Sequence, residues 1–125
     1  MKKQTLHIIR GIPGSGKSTF AKTLNIPDHY EADMWFEKNS IKFDGSLLKK
    51  AHAWCQEMVE KALSEGRDVV VSNTFTKKWE MAPYLEMAKK YNVDVVQKIM
   101  EGRWQNIHGC PEDVVRKMEA RFEYD

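Results

Sequence analysis

The sequence predicts an α/β fold in which a parallel sheet of about four strands is flanked by helices. Two observations lead to this prediction. Short segments rich in Val and Ile alternate along the chain with longer segments whose apolar residues recur at helical spacing. One strand-like segment runs through a glycine-rich loop directly into a helix-like segment. Because no repeat or linker-like tract divides the 125 residues, we expect one domain spanning residues 1–125.

The first strand and the first helix flank the glycine-rich loop. Residues 6–9 are short, apolar and rich in Ile, as expected of a buried parallel strand. Residues 17–24 lack Gly and Pro and carry apolar side chains at helical spacing. We expect a short second strand at residues 29–33, which ends on an acid, and an irregular aromatic segment at residues 34–44.

The middle of the chain predicts a long helix followed by a buried strand. Residues 46–65 present one continuous apolar face, and Gly66 suits the end of a helix. Residues 69–71 are three consecutive valines, typical of a strand covered on both faces. A last strand is predicted at residues 93–99, and Pro111 opens a final helix.

The helix predicted between the last two strands contains a proline. Residues 77–91 have a helical pattern, but Pro83 should kink this helix or mark a late start. The side chains we expect on its buried face are Trp79, Ala82, Leu85, Ala88 and Tyr91.

Residues 11–18 match every position of the phosphate-binding loop pattern G-x-x-x-x-G-K-[ST], the P-loop. Its glycines let closely spaced backbone N–H groups approach a polyphosphate, and the helix that follows aims its N-terminus at the same place. Lys17 can reach the outer phosphates, and the Ser18 hydroxyl can ligate Mg²⁺. We expect ATP as the nucleotide. The residues predicted to bind it are Gly11, Pro13, Gly14, Ser15, Gly16, Lys17, Ser18 and Thr19.

Composition and charge exclude several other classes of protein. The net charge of +2 argues neither for nor against a nucleic acid as partner. No apolar run approaches the roughly 20 residues needed to span a bilayer, and no secretory signal is recognisable, so we expect no membrane partner and a cytoplasmic location. Cys55 and Cys110 lack the spacing of zinc or redox sites. We expect Cys55 in the core.

Four further stretches, combined with the loop, resemble a known family. They are Glu31-Ala32-Asp33-Met34, Ala51-His52-Ala53-Trp54-Cys55, Val71-Ser72-Asn73-Thr74-Phe75-Thr76 and His108-Gly109-Cys110-Pro111. The chain resembles the phage polynucleotide kinase-like P-loop proteins, relatives of the 5′-hydroxyl kinase domain of phage end-healing enzymes. The resemblance covers nearly the whole chain. It implies a three-layer P-loop kinase fold, and host cytoplasm as the location if the protein is phage-encoded.

The resemblance also implies roles for individual residues. Asp33 would be the general base that takes the proton of an acceptor hydroxyl, and Lys17 and Ser18 would hold the phosphates and Mg²⁺. Arg103 would be the lid residue that reaches the transferring phosphate, with Arg116 as an alternative. Each assignment has a competing explanation, since Asp33 could instead cap a helix or be solvated, and Arg103 could be a surface residue.

At two positions the chain departs from the family pattern. Phe36 stands where the end-healing kinases have an Arg that clamps the acceptor's 3′-phosphate, and Phe36 has no hydrogen-bond donor. Asn73 stands where many relatives have Asp, so a carboxylate near Mg²⁺ is missing there and Asp33 would have to supply it.

The sequence therefore predicts an ATP-dependent kinase that phosphorylates a hydroxyl acceptor, preferably a 5′-hydroxyl polynucleotide end or a nucleoside-like molecule. Two other functions stay open at this point. One is a small-molecule or nucleotide kinase, and the other is a non-catalytic ATP-binding regulatory protein. The oligomeric state is not predicted.

Overall fold

The computed structural model describes residues 4–12, 15–100 and 112–123. Its strands are β1 (Thr5–Arg10), β2 (His29–Tyr30), β3 (Val69–Asn73) and β4 (Asp94–Ile99). Within the described residues they form one sheet in the order β2-β3-β1-β4, and every neighbouring pair is parallel. The predicted α/β fold with a small parallel sheet is confirmed.

The helices are α1 (Lys17–Thr23), α2 (Met34–Lys38), α3 (Leu48–Ser64), α4 (Ala82–Lys90) and α5 (Glu112–Arg121). Short 3₁₀ helices at Gly45–Leu47 and Lys78–Met81 lead into α3 and α4. The expectation of an irregular segment at residues 34–44 was wrong in its first part, where α2 forms. At five residues, α2 is too short to show helical periodicity in the sequence.

The sheet is covered by helices on both faces. Val69 and Val71 lie in one apolar cluster with residues of α3 and α4, whereas Val70, between them, lies in a second cluster with Ala21 of α1. All three valines are fully buried. The alternation follows from the period of two in a strand, and it confirms that the run of valines is covered on both sides.

The expected buried face of the fourth helix was wrong at Trp79, Ala82 and Leu85, which are exposed, and right at Ala88, which is buried. Trp79 is 73% exposed, whereas Met81 and Tyr84 are buried. The cause is the 3₁₀ helix at Lys78–Met81, which turns in about three residues, so that the α-helical rotation begins only at Ala82. The predicted late start is confirmed, with the proline in the first turn of α4.

A buried arginine ties the C-terminal residues to the sheet. Arg10, at the end of β1, is 1% exposed and donates from Nε and Nη2 to the carbonyl of Phe75 at 3.2 and 3.0 Å. Nη2 also donates to the carbonyl of Glu123, and the guanidinium lies 4.8 Å from the centre of the Phe122 ring. The residue before the P-loop thereby joins β1, the segment after β3 and the end of α5.

The described helices include none that combines the length and apolar character of a membrane span.

Candidate functional site

The glycine-rich loop joins the carboxyl end of β1 to the N-terminus of α1. Gly16 has φ of +91°, a left-handed conformation that glycine adopts without strain. A Cβ atom added to Gly11 would lie 2.2 Å from Ser15 Oγ, so no larger residue fits there without a shift of Ser15. Two predicted phosphate-binding residues, Pro13 and Gly14, lie outside the described residues.

The side chains of the loop turn inward. Ser15 is fully buried, and its Oγ has no hydrogen-bond partner among the residues that the structure describes. Lys17, the first residue of α1, is 9% exposed, whereas Thr19 is exposed. A buried hydroxyl without a partner carries a desolvation cost, which a phosphate oxygen could offset by accepting from it. The loop thus fits the polyphosphate that its sequence predicts.

A buried carboxylate follows β2 and belongs to Glu31, which is 7% exposed. Ser72 Oγ, on β3, donates to Glu31 Oε2 at 2.6 Å, and His29 Nε2 lies 3.0 Å from the same oxygen. Ser18, on α1, also hydrogen-bonds to this carboxylate. Burial alone would raise the pKa of Glu31, but the hydrogen bonds from His29, Ser72 and Ser18 outweigh it and lower the pKa to about 2.

Asp33 lies three residues beyond the end of β2, at the N-cap position of α2. It makes no side-chain capping bond to that helix, which counts against the alternative that it serves as a cap. Burial lowers the pKa of His52 on α3, and the charges of Glu80 and Asp33 raise it by less. His52 is thus within electrostatic range of Asp33.

Asn73 fixes the backbone between the two acids. Its Oδ1 accepts from the N–H of Ala32 at 2.9 Å, and its Nδ2 donates to Cys55 Sγ at 3.8 Å. Ala32 is the residue between Glu31 and Asp33. Asn73 thus holds the turn from which both carboxylates project, and Cys55 is buried in the core as expected.

Phe36 is part of the core, because it is 4% exposed and packs between α2 and α3 with Ala32 and Ala51. The rings of Trp35 and Phe43 lie 5.1 and 5.2 Å from its ring. A side chain so enclosed makes a hydrophobic anchor for α2.

The predicted lid residue, Arg103, lies outside the described residues. Its alternative, Arg116, is an exposed residue of α5.

Sequence reasoning missed Glu31 and Ser72. Both were noted as parts of family-like stretches, but neither received a role. The available signal was position, since both lie at the carboxyl ends of adjacent parallel strands, where open α/β sheets bind their ligands.

The donor set suits Mg²⁺ better than a transition metal. Within residues 4–12, 15–100 and 112–123 there is no group of three or more His, Cys, Asp or Glu side chains placed to hold a metal ion. Mg²⁺ does not need one, because it is commonly bound through one or two carboxylates, a hydroxyl, substrate phosphates and water. The Ser18 hydroxyl, the Glu31 carboxylate to which it hydrogen-bonds, and the carboxylate of Asp33, two residues after Glu31, are donors of these kinds.

Comparison with known proteins places the chain in a family. The family model described as "AAA domain" matches residues 6–123. Human NEDD4-binding protein 2 is 27% identical over 94% of this chain. A protein of Acanthamoeba polyphaga mimivirus, assigned by name as a bifunctional polynucleotide phosphatase/kinase, is 33% identical over 79% of the chain. The chain spans only 8% and 21% of the lengths of these relatives.

Among solved structures, the Pnkp1/Rnl/Hen1 RNA repair complex contains a chain with the same fold. It aligns with a TM-score of 0.71 at 16% identity, over 97% of this chain and 44% of its own. The resemblance expected from the sequence motifs is confirmed by the family match and these relatives together. The chain therefore belongs to the AAA domain family, and it is similar in sequence and in fold to polynucleotide kinase-like P-loop proteins.

Proposed function

We propose that the protein transfers the γ-phosphate of ATP to a hydroxyl group, preferably that of a 5′-hydroxyl polynucleotide end or a nucleoside-like acceptor. The observation that carries this proposal is the placement of an aspartate, Asp33, shortly after strand β2, at the carboxyl-terminal edge of the sheet where β1 runs into the P-loop. The carboxyl ends of parallel strands open onto one crevice, so nucleotide and acceptor would meet there.

Each residue of the site has a separate role in the proposed phosphoryl transfer. The acceptor oxygen attacks the γ-phosphorus, the bond from that phosphorus to the β–γ bridging oxygen breaks, and ADP leaves. Asp33 takes the proton of the acceptor hydroxyl. Lys17 and the loop N–H groups bind the outer phosphates, and Ser18 would hold Mg²⁺, which supplies positive charge to the phosphate oxygens. Arg103 is assigned to the transferring phosphate by resemblance alone.

The acceptor class follows in part from Phe36. Because this side chain is buried and apolar, it offers nothing to a terminal 3′-phosphate at the position where end-healing kinases carry an arginine. This favours acceptors that do not depend on such a phosphate. The mimivirus relative, whose name describes a polynucleotide phosphatase/kinase, supports a nucleic-acid end as acceptor.

The test is transfer of label from γ-labelled ATP to a panel of acceptors: 5′-hydroxyl DNA, 5′-hydroxyl RNA, nucleosides, nucleotides and sugars. We expect a 5′-hydroxyl end or a nucleoside to gain label. Labelling of a sugar alone would instead identify a small-molecule kinase.

Asp33→Asn separates an enzyme from a regulatory ATP-binding protein. In an enzyme this variant should lose at least about a hundredfold in transfer rate while ATP affinity measured without Mg²⁺ stays unchanged, because Asp33 acts on the proton of the acceptor. If no acceptor is labelled by the wild-type protein although ATP binds, the kinase proposal fails.

A further inference from the structure

The starting observation is a position that lacks a carboxylate. Asn73 ends β3 beside the P-loop strand, where an acid would be expected to support Mg²⁺. Its amide oxygen already accepts from the N–H of Ala32 and its amide nitrogen donates to Cys55. An amide carries no net charge, so Asn73 cannot balance the charge of a divalent cation.

A buried carboxylate lies one strand away. Glu31 follows β2, the neighbour of β3, and is 7% exposed. Burying a carboxylate is costly unless hydrogen bonds hold its charged form. Ser72, His29 and Ser18 provide such hydrogen bonds from β3, β2 and α1. Three separate elements thus converge on this carboxylate.

The contact with Ser18 gives the carboxylate a chemical role. A serine hydroxyl has one proton and two lone pairs. When that proton is donated to Glu31, the lone pairs are the part of Ser18 that can face a cation beside the P-loop. A carboxylate that orients a metal-binding group in this way commonly changes metal affinity by about 10- to 100-fold.

We propose that Glu31 is the carboxylate of the Mg²⁺ site: it holds the Ser18 hydroxyl as a ligand for Mg²⁺ in the Mg·ATP complex and supplies the negative charge that Asn73 lacks. This inference rests on the proposed function, because it assumes that the P-loop binds Mg·ATP. Glu31 is a positioning residue, since it acts through Ser18. Ser72 in turn positions Glu31 from the neighbouring strand β3.

The test compares the affinity for a fluorescent ATP analogue in saturating Mg²⁺ and in EDTA. The Mg²⁺ enhancement is the ratio of the two dissociation constants. Glu31→Gln, which keeps the size of the side chain, should reduce this enhancement by about tenfold or more and leave the affinity in EDTA near the wild-type value. Glu57→Gln, an exposed position on α3, is the matched control and should change neither value.

A second substitution tests whether a carboxylate is what the site needs. In Glu31→Gln/Asn73→Asp, the new acid at the end of β3 should recover a large part of the Mg²⁺ enhancement. A purely structural role for Glu31 would not be rescued in this way. If the double variant binds no better than Glu31→Gln in Mg²⁺, the inference is overturned.

The remaining outcomes are also decisive. If Glu31→Gln keeps the full Mg²⁺ enhancement, the inference fails while the proposed function stands. If the wild-type protein binds no ATP in either condition, the proposed function itself fails. Should Glu31→Gln not fold, as judged by circular dichroism, Ser72→Ala replaces it. That variant leaves the carboxylate but removes its hydrogen bond, so we expect a partial loss of enhancement, and an undiminished enhancement would overturn the inference.

Discussion

Replacing Arg10 with Met should destabilise the protein far more than the same change at a surface arginine. Arg10 is 1% exposed and its guanidinium donates to the carbonyls of Phe75 and Glu123. Met keeps much of the aliphatic volume but has no donor. The carbonyl of Phe75, a residue that is 2% exposed, would lose both of its bonds from Arg10.

The expected magnitude follows from these contacts. A hydrogen bond to a charged group contributes about 1.5–3 kcal/mol, and a buried carbonyl left without a partner costs about 1–3 kcal/mol. The contact with the Phe122 ring adds up to about 1 kcal/mol. The variant also no longer pays the desolvation cost of a buried charge, which offsets part of this loss of stability. We therefore expect Arg10→Met to lower the free energy of unfolding by about 3 kcal/mol.

The assay is urea denaturation followed by circular dichroism, with Arg67→Met as the matched control. The Arg67 side chain is 45% exposed and pairs with Asp28 at 2.8 Å and with Glu65. Exposed pairs of this kind contribute little to stability, because water and salt screen them. If Arg10→Met costs less than about 1 kcal/mol, or no more than Arg67→Met, the buried arginine does not hold the C-terminal residues as described.

Three further predictions concern the P-loop, the core and the response to pH. Lys17→Ala should weaken binding of Mg·ATP by at least about tenfold, because the outer phosphates lose a cation; an unchanged dissociation constant in a fluorescence titration would contradict the loop assignment. Phe36→Ala should lower the free energy of unfolding by about 3–5 kcal/mol through the cavity it leaves between α2 and α3, and Phe36→Leu by clearly less, as measured in urea; equal losses would argue against a packing role. Burial raises the pKa of the Cys55 thiol above its ordinary value of 9.0, so the thiol contributes stability that is fully present below pH 9 and is lost as the pH rises and the unfolded chain ionises. Cys55→Ala, which has no thiol to ionise, should therefore show a smaller decline in the free energy of unfolding between about pH 8 and pH 10; identical declines would refute the assignment.

The parts of the fold that sequence analysis predicted correctly depend on local patterns. The valines at residues 69–71 indicate a strand without reference to any other segment. The P-loop pattern likewise predicts a strand before it and a helix after it, and both are present. Trp79, Ala82 and Leu85 were placed wrongly because one turn of 3₁₀ helix precedes Ala82, whereas Ala88 is buried as expected. Pro83 indicates a late start of the α-helix, but no residue of the pattern indicates the 3₁₀ turn before it.

The candidate site divides in the same way. Lys17 and Ser18 are found in a contiguous motif, and Asp33 through a resemblance. Glu31 and Arg10 show their importance only through partners 41 and 65 residues away in sequence. In the sequence, a charged residue that follows an apolar run indicates only the end of a strand, because its burial is not visible there. Such residues are recognised from tertiary packing alone.

β2 is the least anchored strand of the sheet. It lies at the rim and pairs with β3 over only two residues, His29 and Tyr30. A rim strand this short frays at a small fraction of the free energy that unfolds the whole domain. Since Glu31 follows β2 directly, its proposed role in holding the divalent cation would depend on this local fraying equilibrium more than on global stability. Amide deuterium uptake at residues 29–32 should therefore be fast in the apoprotein and slow down when nucleotide arrives.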